Sequence, residues 1–164
     1  MEAGRTFDLK PGHTSTIRRI EGGMLSYHAD ADSSTNPYEL GLERLIYLKM
    51  DNNFIGKEAL AKIAENGVKR KQVGIILSGK PIRQANTKHW HIEDSAGDVV
   101  GKITSAIYSP RLKQNIALGI ISVEESQLKN EVFVDAPEGK LKGIISAKPF
   151  FDPKKNLVRG LHVG

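Results

Sequence analysis

From Gln72 onward the chain falls into short apolar runs broken by Gly, Pro and Asn, and this rhythm limits what it can fold into. Residues 73–77 read as one strand. Residues 99–107 read as a second, with Gly101 as a bend or bulge. Residues 116–123 are apolar on both faces and predict a central strand. Residues 131–135 and 141–147 flank Ala136-Pro137-Glu138-Gly139-Lys140, a hairpin loop containing Gly. Such runs are too short for helices, so the expected class is α+β, mainly β, with an antiparallel barrel or sandwich.

The part before Gln72 is different. Thr14 is placed to cap a short helix that Gly22-Gly23 would end. Residues 28–39 form a long polar stretch, and a structureless stretch of that length is usually functional. Asn52 or Asn53 is placed to cap a helix over about residues 55–65, with Leu60 and Ile63 inward and Lys57, Glu58 and Lys62 outward. Asn66-Gly67 supplies its stop. With so little apolar periodicity, the first third reads as the tail of something larger. Residues 154–164 are polar and Gly-interrupted, and are expected to fray.

Composition removes several function classes. With 164 residues the chain is about one domain, and with no cysteine it has no disulfide framework, thiolate zinc site or cysteine nucleophile. That usage fits a reducing, cytoplasmic setting. The longest apolar run, residues 116–121, is far short of a membrane span, and residues 1–4 open no secretion signal. The charge is 24 − 19 = +5.

Motif chemistry is sparse. Gly101-Lys102 lacks the spacing and the Ser or Thr of a phosphate loop. His89 and His91 would share a strand face, but no third metal ligand is indicated, and a Trp90-anchored strand or loop is the alternative. Ser105 and Ser109 lack a nucleophile elbow. Two constellations stand out. In the first, Arg19 offers a planar fork and Tyr27 a ring, with Gly22-Gly23 between them and Asp30, Asp32 and Glu39 beyond. That arrangement suits a flat anionic ligand; an Arg19–Glu21 surface pair is the alternative. In the second, Tyr108, Arg111 and Lys113 crowd a Ser-Pro turn between two strands, either as a binding loop or as a packed corner with its cations in water.

At these residues the chain resembles the folate-dependent aminomethyltransferases, the family of the glycine cleavage T-protein. The resemblance rests on Arg19-Ile20-Glu21-Gly22-Gly23, Tyr27-His28-Ala29-Asp30, Asn36-Pro37-Tyr38-Glu39-Leu40-Gly41-Leu42 and Phe54-Ile55-Gly56-Lys57-Glu58-Ala59-Leu60. It continues through Thr104-Ser105-Ala106-Ile107-Tyr108-Ser109-Pro110, Lys113-Gln114-Asn115-Ile116-Ala117-Leu118 and Lys148-Pro149-Phe150, covering roughly residues 14–152. It implies that residues 1–53 are the end segment of a folate-binding core, 54–152 a C-terminal antiparallel β-barrel domain and 153–164 a tail. It further implies tetrahydrofolate as cofactor. Arg19 and Tyr27 would line the folate or substrate cleft from the core side, and the turn bearing Tyr108 and Arg111 would close it from the barrel side. The implied partners are a small carboxylate-bearing one-carbon donor or a lipoyl carrier protein, together with a missing N-terminal domain.

His28 and Glu43 depart from the family pattern, which leans the reading toward a dimethylsulfoniopropionate demethylase-like branch. The family's acidic residue near the reacting nitrogen has no match here, so no catalytic residue is assigned and the isolated chain is expected to be inactive. The alternative function is a noncatalytic folate- or nucleic-acid-binding barrel, with Lys69-Arg70-Lys71, Arg111 with Lys113, and Lys154-Lys155 as its cations. Aromatic residues are only 6% of the chain and are not interleaved with those clusters, which disfavours nucleic acid.

Overall fold

Isoleucine- and valine-rich runs with small residues between them build six strands: β1 (Arg70–Leu77), β2 (Trp90–Glu93), β3 (Val99–Ser109), β4 (Gln114–Ser122), β5 (Glu131–Ala136) and β6 (Gly139–Ser146). In the computed structural model, which describes residues 2–9 and 15–161, they close into an antiparallel barrel in the order β1-β4-β3-β2-β5-β6. Closure leaves no strand at an edge. The expected β5–β6 hairpin forms, but it turns at Pro137-Glu138 alone, since Ala136 pairs with Gly139 and Asp135 with Lys140 inside the expected 136–140 loop. Two helices precede the barrel, α1 (Thr16–Glu21) and α2 (Lys57–Asn66). No described helix is long and apolar enough to cross a membrane.

Alternation along β4 explains its two apolar faces. Ala117 and Ile121 point into the barrel core with Ile75, Ile92, Ile103, Val132 and Ile145. Ile116 and Leu118 point the other way and pack with Ile107 of β3 against Ile20 of α1. The expected central strand is therefore correct, flanked by β1 and β3, and α1 is what buries its outer face.

Two interruptions in β3 differ from the expected bulge at Gly101. Against β2 the register slips at Val100, and against β4 it slips at Thr104. Gly101 answers to a different demand: a Cβ there would stand 2.4 Å from the Ile120 carbonyl oxygen. The neighbouring backbone leaves room only for hydrogen.

The helix boundaries also need correction. Ser15 caps α1 by accepting from the Arg18 N–H, and Thr14 lies outside the described residues. Gly22 ends α1 as expected. α2 begins at Lys57, its N-cap position is Gly56 at φ 91°, and neither Asn52 nor Asn53 caps it. The Asn53 side chain accepts only from its neighbour Phe54. Lys57 turns back, half-buried, onto the Met50 and Asn52 carbonyls instead of facing water. Gly67, at φ 77°, closes α2 as expected. Within the segment expected to fray, Asp152 accepts from the Asn156 and Leu157 N–H groups and sets up a 3-10 turn, Leu157–Arg159.

Candidate functional site

Three buried carboxylates hold the segment before the barrel onto β1 and β3. The first is Asp30. A turn over residues 26–31, closed by Asp30 N–H to the Ser26 carbonyl and His28 N–H to the Ala31 carbonyl, drives its side chain inward. There Oδ1 accepts from Thr104 Oγ1 at 2.6 Å and Ser105 Oγ at 2.7 Å, while Oδ2 accepts from Arg19 Nη1 at 2.5 Å and Ser26 N at 2.9 Å. Adjacent strand residues normally point to opposite faces. The bulge at Thr104 removes that alternation, so both hydroxyls reach one carboxylate oxygen.

The second is Glu21, the last residue of α1. Its Oε1 accepts from Ser109 Oγ at 2.5 Å, its Oε2 lies 3.6 Å from Arg111, and its backbone carbonyl accepts from Phe150 and Phe151. The third is Glu39. Asn36 and Glu39 form a reciprocal cap, with the Asn36 side chain accepting from the Tyr38 and Glu39 N–H groups and Glu39 Oε2 accepting from Asn36 N. Glu39 Oε1 also accepts from Arg70 Nε at 2.8 Å, and that contact raises the Arg70 pKa above its ordinary value.

The residues expected to bind a ligand fall into two kinds. Arg19 is committed inward: besides Asp30, it donates to Ser105 Oγ at 2.8 Å and to the Met24 carbonyl at 3.0 Å. The alternative Arg19–Glu21 surface pair does not form, since Glu21 is buried against Ser109. Tyr27 projects outward, 64% exposed, with its ring edge-on to His28 at 4.5 Å. Arg111 lies over the Phe151 ring at 4.2 Å and stays half-exposed, and Tyr108 is half-buried on the same hairpin. Lys113 takes up φ 53° in the turn. Asp32 closes a local turn through Ser34, which lowers its pKa.

His91 lies in β2, whereas His89 precedes it and meets the Ala29 carbonyl at 3.1 Å. Ser105 and Ser109 each donate to a buried carboxylate.

Sequence reasoning passed over Glu21, Asp30 and Glu39 as docking groups, along with Thr104 and Lys148. The Asn-Pro-x-Glu spacing at 36–39 is a capping signature that could have flagged Glu39. Lys148 is largely buried and donates to Gln72 and the Leu40 carbonyl. Burial lowers its pKa, opposed in part by the charges of Asp30 and Glu43.

A family model described as "Glycine cleavage T-protein C-terminal barrel domain" matches residues 70–152, half of the chain. The aminomethyltransferase of Caldanaerobacter subterraneus subsp. tengcongensis is 36% identical over 160 residues, covering 95% of this chain and 40% of the relative. That of Thermotoga sp. (strain RQ2) is 40% identical over 136 residues, covering 82% and 35%. The chain thus spans about two fifths or less of the length of the curated relatives it matches. Among solved structures, the glycine cleavage system aminomethyltransferase T from Bartonella henselae superposes with a TM-score of 0.74 at 22% identity, over 82% of this chain and 37% of that one. That likeness supports the barrel fold.

Proposed function

The chain belongs to the glycine cleavage T-protein family, through its C-terminal barrel domain, and from that premise we propose that it is the closing part of a tetrahydrofolate-dependent aminomethyltransferase. In this reading it helps to shut the folate and substrate cleft, and it does not turn over by itself. One observation carries the proposal: the Arg19–Asp30–Ser105 lock fixes the leading segment on the barrel and turns Tyr27 outward. A ring held on a rigid turn is available for stacking against a flat heterocycle.

The four candidate residues fit a folate to different degrees. Tyr27 is exposed with His28 against its ring, and Arg111 keeps a half-exposed guanidinium for a carboxylate. Tyr108 would line the wall beside Arg111. Arg19 acts as a positioning residue, because two of its amino groups already serve Asp30, Ser105 and Met24. Tetrahydrofolate, when bound, supplies the nitrogen that accepts the one-carbon unit; this chain orients and encloses it. Exposed Leu45, Tyr47 and Ile55, before α2, support a further part of the protein covering this side.

The donor follows the relatives, which are named aminomethyltransferases, and the departures at His28 and Glu43 do not outweigh them. A nucleic-acid surface is the weaker reading. Arg70 is tied to Glu39 and Ser34, so that cation already has internal partners.

The test has two arms. Purified residues 1–164, given tetrahydrofolate and an aminomethylated lipoyl carrier protein, should release no ammonia, and turnover would refute the dependence on a further domain. Grafted in place of the matching region of the Thermotoga relative, the chain should sustain turnover. Tyr27→Ala and Arg111→Ala in that chimera should raise KM for folate.

A further inference from the structure

The strands of the barrel alternate in direction, so one end collects the 78–89 connection, the β3–β4 hairpin and the β5–β6 turn. These connections carry Lys80, Arg83, Lys88, Arg111 and Lys113 against a single carboxylate, Glu138. The β2–β3 and β4–β5 connections at the opposite end carry Asp94, Asp98, Glu124 and Glu125 against Lys129. These connections therefore differ in charge between the two ends, although Lys69, Arg70 and Lys71 enter β1 at the second end. At the basic end, between the 78–89 connection and the β5–β6 turn, lies a cavity of about 670 Å³. That volume is in the range that encloses a small organic molecule.

Its walls divide by chemistry. Ile82, Trp90 and Leu141 line it with their inner sides packed against the barrel core. Lys80, Arg83 and Lys88 also line it, and none of the three has an ion-pair partner among the described residues. Each of them is solvent-exposed.

The connection that presents these cations is held by two side-chain amides, Asn115 buried and Asn86 half-buried. Asn115 accepts from the Ile82 N–H at 2.9 Å and donates to the Lys80 carbonyl at 3.0 Å. Asn86 accepts from the Ala106 N–H at 2.6 Å and donates to the Lys88 carbonyl at 2.9 Å. Beyond Ile103, β3 outruns β2, and the connection takes over its free backbone groups, as in Tyr108 N–H to the Ile82 carbonyl at 2.9 Å. A twelve-residue connection without regular structure is thus held in one shape, and its cations face one cavity.

We infer that this mouth is a second ligand site, one that takes a small organic anion: an apolar ring against Trp90 and Leu141, with a carboxylate or phosphate on Lys80, Arg83 and Lys88. None of Arg19, Tyr27, Tyr108 or Arg111 lines it, so it stands apart from the proposed folate cleft. Its apolar floor gives area and its cations give sign selectivity.

Trp90 is the one tryptophan of the chain and provides the readout. Titration of residues 1–164 with the aryl sulfonate 8-anilinonaphthalene-1-sulfonate should quench Trp90 emission with one-site saturation. The uncharged N-phenyl-1-naphthylamine should bind at least about tenfold more weakly. Lys80→Ala/Arg83→Ala/Lys88→Ala should weaken the sulfonate about tenfold at unchanged circular dichroism. Glu138→Gln should tighten it, and Arg111→Ala should leave it unchanged. Displacement by 1-naphthoate or by 1-naphthyl phosphate identifies the preferred head group. Absence of quenching, equal binding of the uncharged probe, unweakened binding by the triple variant, or displacement by neither competitor would overturn the inference.

Discussion

Asp30 gathers donors from three separate segments: Arg19 from α1, Ser26 from its own turn, and Thr104 with Ser105 from β3. A buried carboxylate in this position is costly to neutralise: an amide would keep one oxygen for the two hydroxyls but set an NH2 donor against the Arg19 guanidinium and the Ser26 N–H. Asp30→Asn should therefore cost roughly 3 kcal/mol in urea unfolding, and Ser105→Ala about 1 kcal/mol. Combined, the two should be clearly non-additive, because both act on one network. Lys148 offers a pH test. Burial puts its folded pKa below the ordinary 10.5, so between that lowered value and 10.5 the unfolded chain holds more protons than the folded one. Stability contributed by this group accordingly rises with pH through that window and is lost as pH falls through the folded pKa. Lys148→Met should flatten that part of the pH–stability curve relative to the parent, measured by urea midpoints at a series of alkaline pH values.

Among the elements, β3 departs most from regularity and matters most to the site. Its slip at Thr104 brings two hydroxyls to Asp30, and its overhang past β2 is covered by the 78–89 connection. Asn115 is the key to that cover, since it is buried and its side chain bridges the Ser78, Lys80 and Ile82 backbone. Asn115→Ala should cost roughly 2 kcal/mol and speed hydrogen exchange at the Ile82 amide, with the distant β5–β6 amides little changed. Gly101→Ala should cost roughly 1–3 kcal/mol, because its Cβ would meet the Ile120 carbonyl. The periodic pattern makes five of the six strands legible, but it leaves β2 open between strand and loop, and neither bulge is legible. A bulge is a mismatch between two strands, and a single strand's side-chain pattern does not record it.

For the whole molecule, the leading segment and the barrel share an apolar contact, with Ile20 and Ile17 packed on Ile107, Ile116 and Leu118. Residues 54–164 prepared without that segment should melt at lower temperature and self-associate in light scattering, because this patch and the hydroxyls of Thr104, Ser105 and Ser109 would lose their cover. Read by itself, the sequence determined the strand runs other than β2, the β5–β6 hairpin, the stops at Gly22 and Gly67 and the family likeness. Each of these follows from local periodicity, turn chemistry or residue order. It did not determine which cation or hydroxyl each carboxylate meets. Glu21 finds Ser109 at a separation of 88 residues, and Asp30 finds Ser105 at 75. Only closure of the barrel and the slip at Thr104 bring those groups within hydrogen-bond distance, so the tertiary structure alone made Arg19 a buttress and left Tyr27 exposed.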